Sequence, residues 1–184
     1  MRAALGVSAL ALSLAACGPD EEPAPLGPPT GIGTSTSGDE APVEPVAEGA
    51  FELTLRRADG TFLEVGELRG HPVILFVLAT FDGPSQATIR PLAHLVDRRP
   101  DVAVVGICAQ QGARLLVDAY EHALQPPFPI TYDPNDSVTA GASPIGELGA
   151  IPTLVLLDAR GLEVARHTGF CDDDCVAELL SALE

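Results

Sequence analysis

The chain contains no lysine and no tryptophan, a single methionine, and only two tyrosines and six phenylalanines in 184 residues. Without lysine there is no Schiff-base chemistry and no ammonium to hold a phosphate. With so few aromatic side chains there is no stacking platform for single-stranded nucleic acid. All the basic residues are arginine, and the 26 acids outnumber them by enough to give a net charge of −16. Affinity for nucleic acid comes mainly from cations meeting phosphates, so this balance excludes a nucleic-acid binder. The apolar run near the start, Leu5 to Ala16, is also short. It falls well below the roughly 20 residues that a helix needs to cross a bilayer core.

The charge is unevenly placed, and it divides the chain into three parts. Residues 1–16 carry one arginine and no acid; residues 17–48 carry seven acids and no base; residues 49–184 carry nineteen acids and nine arginines. A positive start followed by a short apolar stretch reads as a signal peptide over 1–16. It ends in Leu14-Ala-Ala-Cys17, which resembles the bacterial lipobox. That resemblance implies lipidation of Cys17, an anchor in a membrane and a place in the bacterial cell envelope outside the cytoplasm. Residues 17–48 hold seven prolines among Gly, Ser, Thr and acids. Their apolar content is too low to offset the entropy of ordering, so a disordered tether is expected.

Residues 49–184 read as one α/β domain. Phe51–Leu55 alternates as a half-buried strand, Asp59-Gly60 signals a hairpin turn, and Thr61–Val65 is the return arm. Pro72–Ala79 and Val102–Ile107 are continuous apolar runs, as central strands covered on both faces require. Pro84–Asp97 predicts a helix with Ile89, Leu92, Ala93, Leu95 and Val96 inward and a kink at Pro91. Ala113–Leu124 predicts a second helix, with Leu115, Leu116, Ala119 and Ala123 inward. Strands at Thr153–Leu157 and Leu162–Arg166, joined by the turn Asp158–Gly161, precede a last helix over Val176–Leu183.

Three motifs in order resemble TlpA-type, or redoxin, thioredoxin-like proteins. Gly70-His-Pro-Val-Ile-Leu-Phe-Val-Leu-Ala-Thr-Phe-Asp-Gly-Pro-Ser85 resembles the strand that ends in the family's Trp-Cys-Gly-Pro-Cys. Phe128-Pro-Ile-Thr-Tyr-Asp-Pro134 is similar to its Phe-Pro strand, and Gly149-Ala-Ile-Pro-Thr153 to its cis-proline loop. The resemblance covers about Phe51 to the C-terminus. It implies a thioredoxin-like three-layer sandwich with a central mixed sheet, flanking helices and an N-terminal β-hairpin extension. It also implies a groove at Ile151, Pro152 and Thr153 that faces the motif and could seat an envelope protein or peptide. No cofactor is implied.

The departure from the family lies at the motif itself. Phe81, Asp82, Gly83, Pro84 and Ser85 stand where the family has Trp-Cys-Gly-Pro-Cys, so both thiols are missing. Thiol–disulfide exchange needs a thiolate, which neither Asp82 nor Ser85 can supply. Phe76 occupies a place where the family often has a buried polar acceptor. Asp82 has a structural role available as the cap of the following helix. A hydrolytic Ser85 would need a nearby base. His94, nine residues along the same predicted helix, lies about 13 Å away along its axis.

Besides Cys17, the cysteines are Cys108, Cys171 and Cys175. The thioredoxin-like layout brings all three to the sheet end that carries Asp82 and Pro152. Cys171 and Cys175 allow three readings: a disulfide clamp on the last helix, a displaced redox pair, or metal capture with His167. Soft thiolates with an imidazole suit copper or zinc. The three aspartates between the cysteines oppose a reactive thiolate. Cys108 reads as a packed core residue, with a weaker redox candidacy. Together these readings point to a non-redox binding or interaction module. The alternatives are a thiol–disulfide oxidoreductase that uses Cys171 and Cys175, and a metal-binding protein.

Overall fold

The computed structural model describes residues 49–184. The proposed signal segment, Cys17 and the tether therefore lie outside the described residues. A single sheet organises the domain, with strand order β2-β1-β5-β4-β3-β6-β7. The strands are β1 Thr54–Arg57, β2 Phe62–Glu64, β3 Val73–Leu78, β4 Ala103–Cys108, β5 Ile130–Tyr132, β6 Thr153–Leu157 and β7 Glu163–Thr168. β3, β4 and β5 run parallel, and β1, β6 and β7 join them through antiparallel pairings. The N-terminal hairpin is thus built into the sheet, with β1 pairing β5 at Arg56–Tyr132. Phe51 and Leu53, placed in a strand by their alternation, precede β1 and are buried under the sheet.

The alternation of β3 explains how a continuous apolar run builds two cores. Ile74, Phe76 and Leu78 point into one core, while Val73, Leu75 and Val77 point into the other. Helices α1 Gly83–Arg98, α2 Ala113–Leu124 and α3 Asp173–Leu180 all contribute to the first core. α1 and α2 connect parallel strands that step in the same direction across the sheet. Right-handed crossovers therefore place both helices on one face. The third layer, on the opposite face, has no α-helix among the described residues. Phe51, Leu53, Val65 of a 3-10 turn, Val138 and Ile145 cover it.

α1 has the expected extent to within one residue at each end, whereas α2 departs from the sequence expectation in its buried face. α1 runs over Gly83–Arg98 with Pro91 buried inside it. α2 has the expected ends, but its buried residues are Ala113, Val117 and Tyr120, whereas Leu115 is 76% exposed and Leu116 40%. Ala119 and Ala123 are exposed as well. Residues 113, 117 and 120 form an equally good helical stripe, and it is the one anchored at the sheet. The Glu121 carboxylate accepts from the Ile130 amide at 3.2 Å. A polar contact of this kind gives no apolar signal, so the leucine side misleads.

Candidate functional site

The C-terminal end of β3 gathers the β3–α1 loop, the end of β4, the loop before β6 and the turn after β7. Register brings them together. Leu78 pairs Cys108 and Val77 pairs Thr153, so residues just beyond both strands share one end of the sheet. Thr153 in turn pairs Thr168, and the Gly169 amide donates to the Pro152 carbonyl at 2.7 Å. The Ile151–Pro152 peptide is cis. Pro152 and Thr153 are buried, Ile151 is half-buried, and the Thr153 hydroxyl donates to the Ala150 carbonyl at 2.7 Å.

Asp82 and Ser85 are bound to each other. Asp82 is the N-cap of α1, and one carboxylate oxygen accepts from the Ser85 amide at 2.8 Å and from its hydroxyl at 2.6 Å. Ser85 is fully buried, and its oxygen also accepts from the Ala79 amide at 3.4 Å. This hydroxyl is buried and already partnered, and among the described residues it meets no base beyond the capping carboxylate. The helix end that would favour a thiolate is neutralised by Asp82. Gly83 and Pro84 form the exposed first turn. Phe81, just before it, is 79% exposed.

Several residues that sequence reasoning passed over hold this loop. Gln110 accepts from the Thr80 amide at 2.6 Å and from its hydroxyl at 3.1 Å, and Gln86 donates to the Thr80 carbonyl at 2.9 Å. The parallel register that pairs 78 with 108 could have pointed to 80 and 110. Thr88 donates to the Pro84 carbonyl and accepts from the Cys171 amide at 3.3 Å, which ties the turn after β7 to α1. Phe76 is fully buried and meets Phe128 edge-on, so no polar acceptor lies there.

Two other groups lie under the loop. The Cys108 thiol is buried, and burial pushes its pKa up to about 11 despite a backbone hydrogen bond at Thr80. The Tyr120 hydroxyl is buried and has no hydrogen-bond partner among the described residues. Burial first, then the neighbouring Cys108 and Asp82, pushes its pKa up to about 12. Neither group is a ready nucleophile at neutral pH.

Cys171 and Cys175 are joined as a disulfide with Cα atoms 5.2 Å apart. Cys171 is fully buried, and Cys175 is half-buried in the first turn of α3. That helix begins three residues earlier than the sequence suggested, because Asp172 caps it by accepting from the Cys175 amide at 3.0 Å. Asp173 receives hydrogen bonds from His94 and Arg98 of α1, both at 3.1 Å. His167 lies at the end of β7, with its Nε2 3.1 Å from the Phe170 carbonyl. Phe170 is 51% exposed and lines a pocket with Gln86 and Ala87 of α1.

No known family profile matches the sequence, and no curated protein matches it. The fold is shared with solved structures. The exposed lipoprotein thioredoxin Etrx1 of Streptococcus pneumoniae TIGR4 is 19% identical, with a TM-score of 0.58 over 72% of this chain and 99% of that one. MTB dsbF, solved in mixed oxidised and reduced forms, is 18% identical, with a TM-score of 0.63 over 74% and 98%. A secreted Mycobacterium tuberculosis disulfide oxidoreductase homologous to E. coli DsbE is 18% identical, with a TM-score of 0.58 over 72% and 96%. The chain thus carries a thioredoxin-like domain. At these identities the likeness speaks to the fold and leaves the chemistry to the residues.

Proposed function

We propose that this domain is a non-redox binding module that seats an extended hydrophobic segment of an envelope protein in the groove beside Pro152. The observation that carries this reading is the Asp82–Ser85 pair. Its carboxylate fills the helix terminus, and its hydroxyl is buried and partnered. What faces outward at this end of the sheet is aromatic: Phe81 from the loop before α1 and Phe170 from the turn after β7. Exposed phenylalanines beside a fixed backbone edge suit an apolar partner, and the domain's excess of acids disfavours an acidic one.

The same reading sets the domain outside the cytoplasm, held to a membrane by lipid on Cys17. The secreted and lipoprotein neighbours favour that setting. Incorporation of labelled palmitate into the wild type, and its loss in Cys17→Ala, tests the anchor.

Titration of the full chain with an extended peptide rich in Leu and Phe tests the groove. Saturable binding is expected, weakened at least tenfold in Phe81→Ala/Phe170→Ala. A model disulfide offered with excess dithiol should not be turned over faster than by the dithiol alone. Catalysed turnover that disappears in Cys171→Ser would overturn the binding reading in favour of an oxidoreductase that uses the displaced pair.

A further inference from the structure

Three donors suited to a metal converge where β7 gives way to α3. A ring nitrogen of His167 and the Sγ atoms of Cys171 and Cys175 all lie within 4.8 Å of one another. Three separate features bring them there. His167 is held at the end of β7, where its Nε2 donates to the Phe170 carbonyl at 3.1 Å. A carbonyl only accepts, so Nε2 is the donor in this bond and Nδ1 is the nitrogen left for a ligand; outer partners of this kind orient ligating imidazoles. Cys171 is fixed by its amide bond to Thr88, and Cys175 by its amide bond to the capping Asp172. His167 and Cys175 line an open surface pocket with Glu178 and Ser181, while Cys171 lies buried behind them.

We propose that reduction of the Cys171–Cys175 disulfide converts this corner into a copper(I) site, with His167 as the third ligand. The reductant is a dithiol, protein or small molecule. It gives two electrons and two protons, the S–S bond breaks, two thiols form, and the donor leaves as its own disulfide. Copper(I) then displaces both thiol protons and is held by two thiolates and one imidazole. Soft thiolates select this ion. Structural zinc sites are four-coordinate, and no fourth donor joins the cluster among the described residues. While the sulfurs are bonded to each other they cannot serve as thiolate ligands, so the site exists only in the reduced chain. This site goes beyond the groove reading and does not depend on it.

The test is an anaerobic titration of the full chain, reduced by a dithiol and then freed of it, with copper(I) presented by a chromogenic chelator. The reduced chain should take one equivalent that the oxidised chain does not. Cys171→Ser and Cys175→Ser should each remove that equivalent while retaining Cys17 and Cys108. His167→Ala leaves the disulfide in place and should weaken binding at least tenfold, which keeps the test valid if the cysteine variants unfold. The proposal is overturned if the reduced chain leaves copper with the chelator, or if Cys171→Ser or His167→Ala binds as well as wild type. Zinc(II) uptake without copper(I) uptake overturns the choice of ion.

Discussion

At the scale of single residues, the site is shaped by where protons and charges are allowed to sit. Cys108 is a free thiol, but burial raises its pKa to about 11, so almost no thiolate forms near neutral pH. Alkylation by iodoacetamide at pH 8 should leave Cys108 unmodified in the native chain and modify it once the chain is denatured, as read by mass spectrometry. Asp82 plays a different part, as a cap whose carboxylate oxygen accepts from the Ser85 amide and hydroxyl. Asp82→Ala removes an N-cap and leaves the buried Ser85 hydroxyl one partner short. The expected cost is about 1–2 kcal/mol, measured as a shift of the urea midpoint with unchanged slope. The cap was legible in the sequence, because an acid before Gly-Pro at a helix start has few other uses. The buried Tyr120 hydroxyl was not, because its position depends on which face of α2 meets the sheet.

At the scale of elements, α2 shows how far periodicity carries. Its ends at Ala113 and Leu124 agree with the sequence expectation, and its buried face does not. Two stripes compete on this helix. The leucine stripe is stronger by hydropathy, but the stripe of Ala113, Val117 and Tyr120 is the one packed on the sheet. Val117→Ala should therefore destabilise the domain by more than about 1 kcal/mol, while Leu115→Gln should stay within about 0.5 kcal/mol. Thermal unfolding of the two variants side by side checks this, and the reverse order would restore the leucine face. β4 was simpler to read because it is buried on both sides and a continuous apolar run leaves no choice of face. Its Gly106 marks a close approach: a Cβ there would come within 2.6 Å of the Ile130 side chain.

At the scale of the whole molecule, the acidic balance takes on structural content. Burial acts to raise the pKa of Asp133, but hydrogen bonds from the Ser137 hydroxyl and the Asn135 and Val138 amides outweigh it and hold the carboxyl below its ordinary value. Asp158 behaves alike, with burial outweighed by bonds from the Leu162 amide and from Arg160. A carboxylate whose folded pKa is depressed adds stability above its unfolded pKa, about 3.9, and loses it as pH falls through the folded value. The melting temperature should therefore be nearly flat from about pH 7 to 5 and fall below about pH 4. Asp133→Asn should lower it at neutral pH and blunt the acid limb, as a calorimetric pH series would show. By itself the sequence determined the fold class, the order of most elements, the missing motif thiols and the turn at Asp158. Each of these rests on local composition or on a motif contained within a few residues. Only the tertiary structure decided which face of α2 is buried and that Gln110 clasps Thr80. These depend on register between strands far apart in the chain and on side-chain direction, and neither is written in any single stretch of sequence.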